Sequence, residues 1–147
     1  MSELGHVVFY VRELDRSVQF YTGVVGLKEQ GRIFGDRASL LSGGRTHHEL
    51  LLIEVGAAPG PAEGRRLGLY HVGWKIGTTL DELKAAYQRI MDSGYPVDGV
   101  SDHTVSQSIY LRDPDGNEVE LFVDNPEFDW KNDNSWMEAP VKPLKLG

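Results

Sequence analysis

The stretch Asp113-Pro114-Asp115-Gly116-Asn117-Glu118-Val119-Glu120-Leu121 carries the plainest structural signal in this chain of 147 residues. Its Asp, Pro and Gly occupy positions that are favoured in a type I turn. The flanking residues 107–112 and 118–123 have the pattern of strands, so the sequence predicts a hairpin around this turn. Equal counting from the turn puts Tyr110 opposite Glu120, and we therefore expect both side chains on the same face of the sheet.

The hairpin closes the second of two similar halves of the chain. That half opens with a predicted strand over residues 70–76, and a helix follows at the capping box Thr79-Leu80-Asp81-Glu82. Gly94 is suited to end this helix. Apolar residues at helical spacing predict its buried stripe, and they are Leu80, Leu83, Tyr87 and Ile90.

The first half repeats this order. Residues 6–11 alternate as a strand, and a helix follows around Asp15, an acidic residue suited to cap it, and is expected to end near Gly26. Strands are then predicted around residues 38–41 and over 47–55. Residues 56–64, rich in Gly, Pro and Ala, have the composition of a linker between the halves.

Length and composition exclude several classes of function. The size is that of one ordinary domain, and the 40% hydrophobic content is typical of a globular chain. A net charge of -7 argues against nucleic acid or an anionic membrane surface as a partner. There is no cysteine, which excludes disulfides and thiolate chemistry. No leader or membrane-spanning run is recognisable, so we expect a cytoplasmic protein.

Two histidines and one glutamate stand at matching places in these halves. His6 opens the first strand of the first half, His71 opens the first strand of the second half, and Glu120 lies in its closing strand. Two imidazoles and a carboxylate form the facial triad that suits non-haem iron(II) and leaves other coordination positions open. Each residue alone has an ordinary structural explanation. Their joint placement favours a metal site.

The chain resembles the vicinal oxygen chelate superfamily, which includes glyoxalases, bleomycin-resistance proteins and dioxygenases. The likeness rests on Leu14-Asp15-Arg16-Ser17-Val18-Gln19-Phe20-Tyr21, on Gly26-Leu27, and on residues 113–121. It implies an α+β fold in which two βαβββ modules, at about residues 4–55 and 68–124, form a curled mixed sheet around a metal site. We expect a single domain over residues 1–124, with residues 125–147 as a tail that packs on it.

Within the superfamily the chain is most similar to the type I extradiol dioxygenases. The narrower likeness lies in Thr46-His47-His48-Glu49-Leu50 and in the stretch from Asp102 to Tyr110. It implies cleavage of a catechol-type diol by O2 at iron(II), with manganese(II) or another divalent metal as alternatives. A homodimer or higher homo-oligomer is an open expectation.

The resemblance also implies roles for individual residues. His6, His71 and Glu120 match the metal ligands, and His48 matches the catalytic histidine that acts on protons. His103 matches the family's second-shell histidine, which can hydrogen-bond a substrate oxygen, and Tyr110 matches the active-site tyrosine. Val105 and Ser106 depart from the pattern, since related enzymes often place polar residues there.

Two other functions remain open from the sequence. A glyoxalase-like isomerase would need a fourth protein ligand on the strand that ends the first half. If His48 faces the cavity, strand parity turns Leu50 toward it as well, at the ligand's place, and leaves Glu54 on the same face as the replacement candidate. The other alternative is a small-molecule-sequestering resistance or binding protein, which has no need of convergent metal ligands.

Overall fold

The computed structural model describes residues 1–138 and 141–147. The chain divides into two compact units, the first formed by residues 1–65 and 113–116, the second by residues 66–112 and 117–147. Each unit contains one four-stranded mixed sheet and one α-helix, so the predicted α+β class with two βαβββ modules is confirmed. Both sheets are open and not closed barrels.

In the first unit the sheet has the strand order β1-β4-β3-β2. The β1 and β4 strands are parallel, and the other neighbours are antiparallel. The elements are β1 (Val7–Val11), α1 (Leu14–Gly23), β2 (Lys28–Ile33), β3 (Ala38–Ser42) and β4 (Leu50–Glu54).

One face of this sheet forms the core with α1. Leu41, Leu50 and Leu52 are fully buried, as are Phe20 and Tyr21 of the helix. The opposite face is open in this unit, because Val8 is 45% and Tyr10 is 72% exposed. The apolar residues of β1 and β4 therefore alternate between a helix-covered face and an uncovered one.

The start and end of α1 differ from the prediction. Glu13 is the N-cap residue but makes no side-chain cap, and Glu54 instead accepts a hydrogen bond from Leu14 N at 2.8 Å. Asp15 lies in the first turn and pairs with Arg32 at 2.8 Å. The helix ends at Gly23, before the predicted Gly26. A long-range cap of this kind leaves no signal in the local sequence.

Two strands of the first unit also differ from the prediction: β4 is shorter than expected, and β2 was not predicted. The strand predicted over residues 47–55 begins only at Leu50, because residues 43–49 form a loop. The pattern did not locate β2, whose sequence Lys-Glu-Gln-Gly-Arg-Ile is polar and interrupted by a bulge near Gly31. An edge strand with a bulge lacks the alternation that identifies a strand from sequence.

In the second unit the sheet has the equivalent strand order β5-β8-β7-β6. The β5 and β8 strands are parallel, and the hairpin β7–β8 is antiparallel. The elements are β5 (His71–Gly77), α2 (Leu80–Ser93), β6 (Val97–Asp102), β7 (Ser106–Arg112), β8 (Glu118–Asp124) and a 3-10 turn (Ser135–Met137).

The capping box of α2 is confirmed. The Thr79 hydroxyl accepts from Glu82 N, and Gly94 ends the helix in the left-handed conformation at φ 78°. Leu83 and Ile90 are buried as predicted. Leu80 is 40% exposed, so its place in the buried stripe was wrong. It is the first helical residue, and spacing alone does not tell how far a sheet extends beneath the first turn.

Residues 125–138 and 141–147 contact the second unit, to which they belong, through backbone hydrogen bonds. Asn125 N donates to Val105 O at 2.8 Å, and Asp102 and Lys142 exchange two bonds at 2.9 and 3.0 Å. Leu146 is 9% exposed. Over the described ranges no helix is both long and apolar enough to cross a membrane.

The turn of residues 113–116 is fastened to α1. Gly116 N donates to Asp113 O at 3.0 Å to close the turn, and Asp115 N donates to the Asp113 carboxylate at 2.9 Å. The same carboxylate accepts a hydrogen bond from the Tyr21 hydroxyl at 2.8 Å, and both side chains are buried. Burial, and then the charge of Asp113, raises the pKa of Tyr21 well above its usual value, so the phenol remains a donor.

We predict that Tyr21→Phe lowers the free energy of unfolding by roughly 1–3 kcal/mol, because a buried carboxylate loses a donor that water does not replace. Urea denaturation measures the change. Tyr10→Phe is the control, since that side chain is 72% exposed, and it should change stability by less than about 0.5 kcal/mol. Equal stability of the two variants would contradict the assignment.

Candidate functional site

His71 stands at the start of β5 between two carboxylates of the adjacent strand β8. Its Nδ1 lies 2.8 Å from Glu118 Oε2, and its Nε2 lies 3.3 Å from Glu120 Oε1. The parallel register explains this, because His71 is paired with Glu118 and Gly73 with Glu120. Glu118 orients the ring through Nδ1, and Glu120 lies beside the other ring nitrogen, Nε2. A carboxylate bonded to one ring nitrogen in this way fixes the orientation of an imidazole.

Gly73 leaves room for the Glu120 carboxylate beside His71. A Cβ atom added there would lie 3.0 Å from Glu120 Oε1 and 3.4 Å from the Phe122 ring. Such a contact is tighter than ordinary van der Waals separation, so a side chain would displace the carboxylate. The glycine lets Glu120 lie over the β5 backbone beside His71.

Glu120 accepts two hydrogen bonds from strand β7. Ser108 Oγ donates at 2.6 Å and the Tyr110 hydroxyl at 3.1 Å, both to Oε2. Tyr110 is paired directly with Glu120 in the hairpin, as counting from the turn predicted. These bonds hold Oε2, while Oε1 is the oxygen that faces His71.

His103 extends this chain of hydrogen bonds. Its Nε2 lies 2.8 Å from the Tyr110 hydroxyl. Burial, and then the charge of Glu120, raises the pKa of Tyr110 to about 12, so the phenol is protonated at neutral pH. The imidazole donates in this bond when its Nε2 carries the proton, and the phenol proton then goes to Glu120.

The loop that carries His103 is itself restrained. His103 N donates to Ser106 O at 2.8 Å, and Thr104, at φ 73°, donates its N–H to Asp102 Oδ1 at 2.9 Å. A non-glycine residue in the left-handed region indicates a turn held by its surroundings. This turn directs His103 toward β7.

Three histidines lie together in the first unit. The rings of His6 and His48 are 4.7 Å apart, and His47 Nδ1 lies 2.5 Å from His48 Nδ1. Burial lowers the pKa of His48, and the neighbouring His47 and His6 lower it further. His48 is therefore neutral at pH 7 and can accept a proton.

Arg45 and Glu49 hold this cluster in place. The Glu49 carboxylate accepts from Gly43 N at 2.7 Å and from Arg45 N at 3.2 Å. The Arg45 guanidinium donates to Gly5 O at 2.8 Å, directly before His6. The loop with His48 and the segment with His6 are thus fixed to each other.

The parity argument that began at His48 was wrong. His48 lies in the loop before β4, and Leu50 and Leu52 are fully buried. On the open face of the sheet, β4 presents Leu51 opposite Val8. Glu54, the replacement ligand considered above, caps α1 through Leu14 N. No residue of β4 thus offers an uncommitted ligand.

The predicted site residues fall into two groups, one in each unit. His71, Glu120, Tyr110 and His103 are in mutual contact in the second unit. His6 contacts His48 in the first. Among the described residues no set of three or more His, Asp or Glu side chains is grouped to hold a metal ion. The triad of His6, His71 and Glu120 draws on both units and stays a prediction.

Sequence reasoning missed several members of the site. Glu118 and Ser108 each stand two residues from a predicted site residue in the same strand, and strand alternation could have found them. Arg45 and Glu49 act through backbone atoms that a residue pattern does not reveal.

Comparison with known proteins identifies the family. The family model for the Glyoxalase/Bleomycin resistance protein/Dioxygenase superfamily matches residues 3–121. The catechol-2,3-dioxygenase of Bacillus subtilis (strain 168) is 33% identical over 132 residues, which cover 90% of this chain and 45% of that protein. The biphenyl-2,3-diol 1,2-dioxygenase 3 of Rhodococcus globerulus is 32% identical over 127 residues, 83% of this chain and 63% of the relative. The chain thus spans only about half to two thirds of these relatives' lengths.

A solved structure of a glyoxalase/dioxygenase from Nostoc punctiforme agrees in fold, with a TM-score of 0.73 at 18% identity over 83% of this chain and 90% of that one. The family model covers most of the sequence, including the turn of residues 113–116 and both halves of the repeat. The chain belongs to the Glyoxalase/Bleomycin resistance protein/Dioxygenase superfamily.

Proposed function

We propose that the protein is an extradiol ring-cleaving dioxygenase that inserts O2 into a catechol-type diol at a non-haem iron(II) centre. The observation that carries the proposal is the pairing of His71 Nε2 with Glu120 Oε1 at 3.3 Å, with Glu118 bound to the other side of the imidazole. The relatives at about one third identity are named as catechol and biphenyl-diol dioxygenases, which supports the same reading.

The donor set fits iron(II). His71 and Glu120 offer one imidazole nitrogen and one carboxylate oxygen whose other polar atoms are already hydrogen-bonded. His6 of the first unit is the proposed second imidazole. Two histidines and a carboxylate suit non-haem iron, and manganese(II) is the alternative metal. When bound, the ion would lower the pKa of the diol hydroxyls and supply the redox centre for dioxygen.

The chain's own residues would then handle protons and orientation. A neutral His48 can take a proton from a diol hydroxyl and return it later, which is general acid–base work. The Tyr110 hydroxyl, which also contacts His103, fixes the Glu120 carboxylate. Its oxygen can accept a hydrogen bond from a diol hydroxyl and so orient the substrate. Each of these residues has a contact that keeps it in a defined position.

The alternative functions have less support. An isomerase of the glyoxalase type would need a further ligand from the first unit, yet Leu50 is buried and Glu54 caps α1. A metal-free binding protein has no use for two carboxylates gathered around one imidazole. The dioxygenase proposal gives a role to each of these groups, namely His71, Glu118 and Glu120.

We predict that the protein loaded anaerobically with iron(II) consumes one O2 per catechol and releases a ring-opened product. An oxygen electrode with mass spectrometry of the product measures both quantities. The same sample should not isomerise glutathione hemithioacetals. Hemithioacetal turnover, with a broad panel of catechols left intact at verified iron occupancy, would refute the proposal.

We predict that Glu118→Gln weakens iron(II) binding by roughly 10–100-fold, because it removes the charged partner that orients His71. Alanine at His6, His71 or Glu120 should weaken it further and remove activity. Anaerobic calorimetric titration of the metal measures affinity without turnover. Glu127→Gln, an exposed carboxylate of the tail, is the control and should bind normally. Unchanged affinity in the His71 and Glu120 variants would exclude this metal site.

We predict that His48→Gln retains iron and catechol binding while turnover falls by roughly two to four orders of magnitude, the range expected for a lost general acid–base group. Single-turnover kinetics at fixed metal occupancy measure this. His47→Gln should reduce turnover by less than about tenfold, since His47 is exposed and acts through its contact with His48. Loss of metal in the His48 variant would show that His48 is a ligand instead.

A further inference from the structure

The tail of the second unit builds a pocket that the proposed function does not use. Its volume is about 520 Å³, and it lies where residues after β8 pass the ends of β5 and β8. Aromatic side chains form much of the wall, and one ion pair stands among them. The wall residues that matter here are Val105, Phe128, Trp130 and Trp136, with Lys75 and Asp124. We call this the tail pocket.

The tail pocket is distinct from the pair formed by His71 and Glu120. Asp124 follows Glu120 by four residues in β8, which corresponds to about 13 Å along a strand. Both side chains are on the same face, and Phe122 stands between them in the alternation. A single-ring diol held at Glu120 therefore leaves the tail pocket unfilled.

The walls select for an aromatic ring. Trp130 is 58% exposed, so the fold itself does not bury this large apolar surface. Exposed aromatic surface around a concavity is characteristic of ligand sites. The pocket volume of about 520 Å³ lies within the range of small-molecule binding sites. Stacking against these rings favours a flat ligand.

The charges select against an ionic ligand. Lys75 Nζ lies 3.0 Å from Asp124 Oδ2, and the two side chains are 50% and 45% exposed. Their charges cancel, so a carboxylate or ammonium group would lose solvation and gain little from the wall. The pair still offers donors and an acceptor to a hydroxyl or carbonyl group.

We propose that the tail pocket binds an uncharged, fused-ring aromatic group. The group is either a separate ligand or a substituent of a larger diol, and in both cases the pocket contacts the same kind of ring. Binding to the pocket does not depend on the proposed function, because no metal takes part in it.

The first measurement is calorimetric titration of the metal-free 147-residue chain with 2-naphthol and, separately, with 2-naphthoate. The two probes share a ring system, and at neutral pH the first is uncharged and the second is an anion. We expect saturable binding of 2-naphthol that is at least about fivefold tighter than that of 2-naphthoate. No saturable binding of 2-naphthol, or tighter binding of 2-naphthoate, would overturn the proposal.

Three variants test whether 2-naphthol binds in the tail pocket. Trp130→Ala should weaken 2-naphthol binding about three- to tenfold, because it removes one stacking partner, and the exposed position makes misfolding an unimportant factor. Val105→Phe should weaken it by filling space. Trp74→Phe is the matched control, since Trp74 alternates with Gly73 and Lys75 and belongs to the opposite face of β5. Equal loss in the control would overturn the assignment to this pocket.

Asp124→Asn tests the charge argument. The change leaves Lys75 without its counter-charge, so affinity for 2-naphthoate should rise about two- to fivefold while that for 2-naphthol stays nearly constant. An unchanged ratio of the two affinities would refute charge cancellation as the basis of selectivity.

A final experiment distinguishes a separate ligand from a substituent of the substrate. Only this experiment rests on the proposed function. With iron(II) bound, Trp130→Ala should raise KM for 1,2-dihydroxynaphthalene and leave KM for catechol unchanged if the ring belongs to the substrate. If Trp130→Ala weakens 2-naphthol binding but leaves KM unchanged for both 1,2-dihydroxynaphthalene and catechol, the pocket binds a separate ligand, which also supports the proposal. Absence of any turnover with intact 2-naphthol binding would overturn the proposed function and leave the tail pocket supported.

Discussion

The register of the β7–β8 hairpin is the constraint on which the candidate site depends. Pairing Tyr110 with Glu120 and Arg112 with Glu118 puts the even-numbered residues of both strands on one face. A slip by one residue would move each of them to the opposite face, where Ile109, Val119 and Leu121 are buried. The site and the core are therefore fixed by the same pairing. The turn that sets this pairing is anchored by Asp113, which Tyr21 holds through a buried hydrogen bond.

The parallel pairing of β5 with β8 adds the second constraint. It brings His71 next to Glu118, and it brings Gly73 under Glu120. Side-chain size at position 73 and strand register are thus linked, because a Cβ atom there would press on the Glu120 carboxylate and shift it from its place beside His71. The fold is shared by proteins with different activities, so chemistry is decided by such local conditions and not by the architecture.

Much of this arrangement could be predicted from sequence, and the exceptions have physical causes. The hairpin and α2 were predictable because a tight turn and a capping box are local signals. The β2 strand was not, because it is a polar edge strand with a bulge. The position of His48 was misjudged because parity holds only inside a strand, and β4 begins two residues later. The cap of α1 by Glu54 is a contact across 40 residues, which no window of sequence contains.

The electrostatics of the second unit are consistent with the proposed metal site. Glu118 and Glu120 have side chains only 14% and 15% exposed, and both contact the one imidazole of His71. Two partly buried carboxylates repel each other and lose solvation, and a single imidazole compensates at most one negative charge. The hydrogen bonds from Ser108 and Tyr110 offset part of this cost at Glu120. A divalent ion between His71 and Glu120 would offset the remainder, since a bound cation is often the largest local charge in such a site. In the proposed site Glu120 would be the ligand, and Glu118 would remain the hydrogen-bonded partner of His71 Nδ1.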